Sequence, residues 1–237
     1  VACGFNSLGI LSGGGAGHVM AQWINDGVQP MDIWDVDVRR IQPSHNNKNF
    51  VVARTYESLG IGYQMHWPNR QWETARNVKQ SVLHDRVKAA GACFGESAGW
   101  ERPNWYARPG QKAEYEYNFE RQNWFDNNAA EHRAVREAVG VFEQSSFGKI
   151  LVQGRDAEKV LNHIATADMA VPVGRVVYTH FLNKRGGVEA DITISRLADD
   201  KFLILTPAFT CTHIKAWLHD HTPADACCVV TDMSSAW

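Results

Sequence analysis

The sequence has almost no imbalance of charge: 24 Lys and Arg stand against 26 Asp and Glu, a formal net charge of −2. That excludes a strong field for nucleic acid or an anionic membrane surface. No apolar run approaches the roughly 18 residues that a membrane span needs. GxSxG, the Walker loop and HExxH are missing, which removes the commonest signatures of hydrolases, nucleotide-binding proteins and zinc proteases. There is no sequence repeat and no low-complexity tract. Cysteine is sparse and odd in number (Cys3, Cys93, Cys211, Cys227 and Cys228), with no CxxC and two residues adjacent. This fits a reducing compartment better than a disulfide framework. His213, His219 and His221 lie close in sequence, but no Cys or carboxylate completes a zinc pattern, so they are expected at the surface and no metal is expected. Val1 is not an initiator Met, no leader precedes it, and the chain stops abruptly on TDMSSAW. The expectation is a piece of a longer protein, cut at both ends.

What the chain does have is apolar surface. Hydrophobic residues make up 44% of its 237 residues, including nine Trp, ten Phe and six Tyr, which is too much for a solvated chain. The length suits one large domain or two small ones. The first segment reads as strand, glycine loop, then helix, because Ala16, Val19, Met20, Trp23 and Ile24 follow one helical stripe that Gly27 stops. Helices are expected over 50–59 and 81–90, with the run HWPNRQW as a loop. Five of the nine Trp fall between Trp67 and Trp124, the mark of an aromatic packing layer or the lining of a ligand channel. Residues 110–128 read as a connecting loop. Beyond them an αβ unit is expected. A helix stripe runs through Ala134, Val135, Ala138 and Val139, and a strand covers Lys149 to Val152. Asp156 caps a helix that carries Val160, Leu161 and Ile164. Strands 175–182 and 188–196 flank the turn Asn183 to Gly187. A strand over 201–205 and a helix over 212–219 follow. Cys227 and Cys228 precede a Val-Val strand and are expected buried and inert.

Two features carry candidate chemistry. Gly13, Gly14, Gly15, Ala16, Gly17 and His18 would open a helix, where free N–H groups attract anionic or carbonyl oxygens and glycines admit a close ligand. A tight turn with no ligand explains the same residues. As a dinucleotide fingerprint the run fails, because His18 stands where Gly or Ala is wanted; an NAD-binding reading would also need Asp32 or Asp35 at the ribose. The second feature is the alternation of residues 188–195. Val188, Ala190, Ile192 and Ile194 share one face, while Glu189, Asp191, Thr193 and Ser195 share the other. A sheet with one wet face gives this pattern with no function. Where the polar face lines a cavity, Asp191 can hold or activate an amine.

In order along the chain, three stretches resemble the sarcosine and dimethylglycine dehydrogenase family. These are flavoproteins whose amine-oxidising FAD domain is fused to a folate-binding domain similar to the glycine-cleavage T-protein. GFNSLGILSGGGAGHVMAQWINDGVQPMDIWDVDVRR looks like the end of the FAD domain. The central run closes on GWERPNWYA, the family's most recognisable stretch. FEQSSFGKILVQGRDAEKVL and VVYTHFLNKRGGVEADITISRL are similar to the start of the T-protein domain. The resemblance implies an α+β fold in three parts. Residues 1–43 are the C-terminal remnant of an FAD-dependent oxidoreductase domain. Residues 44–110 are a small central segment, and 111–237 the first part of an aminomethyltransferase-like folate-binding domain.

By this resemblance the Gly13 to His18 loop would lie against the flavin. Asp191 matches the folate-site carboxylate and would be catalytic, while Tyr178 and Phe147 would line the same, mostly enclosed, pocket. Two positions depart from T-proteins: Ala190 replaces a second acid, and Pro207 stands near a pterin-contacting Asn. The implied reaction is oxidative demethylation of a small methylated amine, with the one-carbon unit passing to tetrahydrofolate as 5,10-methylenetetrahydrofolate. FAD would be held mostly by residues outside the chain. An electron-transfer flavoprotein or oxygen would be the electron acceptor, and the place a bacterial cytoplasm or the mitochondrial matrix. Neither nucleic acid nor membrane is an expected partner. A regulatory relative of the pyruvate dehydrogenase phosphatase type and a free-standing aminomethyltransferase are the alternatives. The chain alone is expected to be inactive.

Overall fold

A computed structural model describes residues 1–236 of the chain. The first element is a helix, α1 (Gly9–Asp26). Gly27, at φ 71°, returns its N–H to Trp23 O at 2.9 Å and closes the helix in a left-handed cap. This corrects the expected order of strand, glycine loop and helix: the glycines lie inside the helix. Gly costs about 1 kcal/mol against Ala in a helix interior, which is why the run reads as a loop. The turn forms nonetheless, continuous with the apolar stripe behind it. No residue of α1 is buried.

A strap of three short 3₁₀ turns (Trp34–Val36, Val38–Arg40 and Pro43–His45) leads to α2 (Lys48–Ile61). The Asn47 side chain caps α2, accepting from Phe50 N at 2.8 Å. A short α3 (His84–Ala89) precedes the hairpin β1 (Ala92–Ser97) and β2 (Trp100–Tyr106), which sequence periodicity does not predict. The two residues at its tip, Ala98 and Gly99, both have positive φ, the geometry of a tight hairpin turn. Trp105, opposite Cys93 near the open end of the hairpin, is 1% exposed. Glu101 is buried against Arg76 at 2.5 Å, and Arg54 meets Glu96 at 2.9 Å.

After α4 (Phe125–Glu137) the chain builds the larger unit. Strands β3 (Gly148–Gln153), β4 (Val176–Leu182), β5 (Val188–Ala198), β6 (Lys201–Thr206) and β7 (Val229–Asp232) form one antiparallel sheet in the order β4-β5-β6-β3-β7. Helices α5 (Ala157–Ile164) and α6 (Cys211–His221) cover one face. Alternation decides which side chains they cover: Ile150, Val152, Phe181, Ala190, Ile192, Ile194, Phe202 and Ile204 point into that core. Asp156 stands at the start of α5 as expected, but its carboxylate accepts from Cys227 N at 2.7 Å, tying α5 to the segment before β7. The expectation for the paired cysteines is half met: Cys228 is partly buried and Cys227 is exposed.

Candidate functional site

The sheet face opposite α5 and α6 carries the candidate groups. Tyr178 and His180 are two residues apart on β4, so both leave the same face, while Thr179 and Phe181 between and beside them are buried. The β4–β5 register pairs His180 with Asp191 and Tyr178 with Thr193. The pairing brings three polar groups together. The Tyr178 hydroxyl lies 3.3 Å from His180 Nε2, and that nitrogen lies 3.9 Å from Asp191 Oδ1. A hydrogen bond with Asp191 pushes the Tyr178 phenol above its ordinary pKa.

Phe147 stands just before β3. Extending the β3–β6 and β5–β6 registers by a residue or two puts Phe147, Pro207 and Asp191 in one row across the sheet. Two strand spacings, about 10 Å, then separate the Phe147 and Asp191 backbones. All three residues expected at the folate site therefore share one side and one end of the sheet. The expected enclosure is a different matter, and the structure corrects it: within this chain Asp191 is 63% and Tyr178 62% exposed. What the face offers is a carboxylate with no Lys or Arg ion pair among the described residues, beside a phenol and an imidazole. Such a group accepts a hydrogen bond or a proton from an amine.

His180 is a member of this trio that the residue-by-residue reading passes over, though the period-two spacing from Tyr178 marks it. Another overlooked group is His213, expected at the surface. It stacks on Trp34 with ring centroids 4.5 Å apart, and its Nε2 lies 3.4 Å from Glu189. Burial pushes its pKa down.

The glycine run is placed differently from the expectation. Gly13, Gly14, Gly15, Ala16, Gly17 and His18 sit on the second and third turns of α1. Inside a helix their N–H groups are engaged with carbonyls four residues back, so they form no anion nest; the helix start lies at Gly9. A methyl group added at Gly13, Gly14, Gly15 or Gly17 meets nothing within 4 Å. At 3.6 residues per turn these glycines are spread around the helix, with Gly13 and Gly17, four residues apart, on one face. Among the described residues there is no cluster of metal-ligating side chains, and no helix is long and apolar enough to cross a membrane.

Comparison with known proteins gives two matches in succession. Residues 26–81 match the FAD dependent oxidoreductase central domain, and residues 83–237 match the GCVT N-terminal domain. The chain is 49% identical over 92% of its length to 4-methylaminobutanoate oxidase (formaldehyde-forming) from Paenarthrobacter nicotinovorans. It is 33% identical over 99% of its length to a pyruvate dehydrogenase phosphatase regulatory subunit, and 34% over 88% to a sarcosine dehydrogenase, both from Mus musculus. These matches span 26%, 27% and 26% of the relatives, so the chain covers about a quarter of their length. Among solved structures, the aminomethyltransferase T of the Bartonella henselae glycine cleavage system aligns over 66% of this chain and 38% of its own, at 25% identity and a TM-score of 0.53.

Proposed function

Because the chain belongs to the sarcosine and dimethylglycine dehydrogenase family, at the junction of its oxidoreductase and T-protein-like domains, we propose that it is the one-carbon acceptor portion of a flavin-dependent N-methyl amine oxidoreductase. In the whole protein a flavin, held by residues outside this chain, would take up the hydride equivalent from an N-methyl group. The resulting iminium carbon would then be captured on tetrahydrofolate as 5,10-methylenetetrahydrofolate, its bond to the substrate nitrogen breaking so that the demethylated amine leaves.

The observation that carries this reading is the arrangement of Asp191 and Tyr178 on neighbouring strands, with no Lys or Arg among the described residues neutralising the carboxylate. Asp191 accepts a hydrogen bond from the folate ring amine in the ground state. It takes the amine's proton as the new carbon–nitrogen bond forms, which keeps the nitrogen lone pair directed at the incoming carbon. Tyr178 donates to the same carboxylate and fixes its rotamer. Phe147, in the same row, supplies an apolar flank. Of the run Gly13 to His18, the side of α1 that carries Gly13 and Gly17 would meet the flavin, since the helix start is elsewhere. The regulatory alternative is less supported, because the higher identity lies with the oxidase.

The test is Asp191→Asn in a polypeptide that carries this chain together with the flanking domains of its relatives. Amine oxidation is expected to continue at the parent rate, while methylenetetrahydrofolate formation falls about a hundredfold, within the range for loss of a general base. Unchanged folate product would remove Asp191 from the site.

A further inference from the structure

His180 stands beside both Tyr178 and Asp191, and its ring is the third polar group on that face. Its Nε2 lies 3.3 Å from the Tyr178 hydroxyl and 3.9 Å from Asp191 Oδ1. The first distance is within hydrogen-bond reach and the second is outside it. The Tyr178 and His180 rings meet edge to face, with centroids 5.2 Å apart.

A pinned backbone delivers the imidazole to this place. Strand β4 is an edge of the sheet, where a strand has no neighbour on its outer side. Here residues 165–166 supply one. His180 N donates to Thr166 Oγ1 at 3.3 Å, and Thr166 N donates to His180 O at 3.0 Å. Thr166 Oγ1 also meets the buried Thr179 hydroxyl at 3.2 Å, and Ala165 pairs with Phe181.

Counting protons gives the hydrogen bonds a direction. A phenol has one proton to donate, and an ionised carboxylate has none. Tyr178 is bonded to Asp191, so its proton is committed to the carboxylate. The phenol oxygen can then meet Nε2 only as an acceptor, which puts the ring's proton on Nε2. Nδ1 has no partner among the described residues and is not sealed from solvent, so water can donate to it.

We propose that His180 is a positioning residue for Asp191: its Nε2–H donates to the Tyr178 oxygen and so turns the single phenol proton toward the carboxylate. The ordered series from His180 through Tyr178 to Asp191 holds one oxygen of the carboxylate and leaves the other for the folate amine. Without the ring's donation the phenol, 62% exposed, is free to turn its proton to water. The positioning role rests on the folate reading; the direction of the hydrogen bonds does not.

The direction is tested on the 237-residue chain. The Tyr178 phenol is titrated by carbon-13 NMR of labelled tyrosine and assigned with Tyr178→Phe. A hydrogen bond donated to the phenol oxygen stabilises the phenolate, so His180→Met should raise the Tyr178 pKa above the parent's. His180→Gln, whose amide nitrogen can stand where Nε2 stands, should leave it near the parent value. Asp191→Asn should lower it, because the anion beside the phenol is gone. A fall in His180→Met would mean that the phenol donates to the ring, and no change that the contact is not made. Either result would overturn the proposal, as would an unmoved titration in Asp191→Asn.

The role is tested in the longer polypeptide with its flanking domains, with sarcosine and dimethylglycine offered in turn as the amine. His180→Met should cut methylenetetrahydrofolate formation about fivefold, the value of one hydrogen bond, with amine oxidation unchanged. His180→Gln should retain it, which an imidazole that carried protons would not allow. Loss in both variants, or in neither, would overturn the positioning role. Should Asp191→Asn keep its folate product, the folate reading fails and the role with it, while the titration still decides the direction of the bonds.

Discussion

His213 shows how a single ring can be read from its surroundings. It lies between Trp34 and Trp217, with Glu189 as its nearest acid, and burial holds its pKa below the ordinary histidine value. Glu189, Asp32 and Asp37 pull the pKa up and Arg39 pushes it down, but desolvation is the larger effect. The neutral ring is therefore the folded form. A depressed folded pKa means that the unfolded chain binds the proton first. The stabilisation is full above about pH 6.5, the unfolded value, and is lost as pH falls through the folded value. Urea unfolding between pH 8 and about pH 5 should show a loss of stability that His213→Gln makes shallower; an identical slope in the variant would contradict this. Of the candidate groups, Asp191 is marked by the period-two pattern of residues 188–195, which fixes its face before any fold is known, while Tyr178 enters only through the family resemblance. Their exposure is not legible, because whether a strand face is covered depends on what other segments pack there. His213 was misjudged for a related reason: its stacking partner Trp34 is about 180 residues away in sequence.

Elements were legible where one periodicity ran without interruption. Strands β3 to β6 and helices α5 and α6 carry clean alternation or helical stripes, and they form close to the expected places. The β1–β2 hairpin escaped because its polarity pattern is inverted: Glu101 is 3% exposed, held by Arg76, while Asn104 bulges outward. A buried ion pair within a strand erases the signal that alternation supplies. Helix α1 fails in the opposite way, since its glycines argue against the helix they occupy. Gly14 faces open space, so Gly14→Ala should deepen the helical circular dichroism signal and stabilise the segment by about 0.5–1 kcal/mol. A drop in helicity would show that the run is not helical in solution.

Across the whole molecule, the two matched segments are bolted together. Arg39 bridges Asp37 and Asp220, at 2.8 Å to each, and Arg185 Nη1 donates to Pro30 O at 2.7 Å. The strap therefore lies along α6 and the β4–β5 turn. Arg39→Ala should leave the sheet intact yet speed proteolytic cleavage within residues 30–41 several-fold. An unchanged cleavage pattern would mean that the Trp34–His213 stack and the Arg185–Pro30 hydrogen bond hold the strap without Arg39. The larger unit depends on its apolar face: Phe181 is 0% exposed amid that core, and Phe181→Ala should cost about 3–5 kcal/mol by chemical denaturation.

Strand β3 lies between β6 and β7 and belongs to neither edge of the sheet. Its outer partner spans residues 229–232, some eighty positions downstream. During synthesis the row of amides along Ile150 to Gln153 therefore stays raw until residues 229–232 have left the ribosome. A product that stops before Val229 would keep that row as a sticky rim, open to capture by the same rim on a sister molecule.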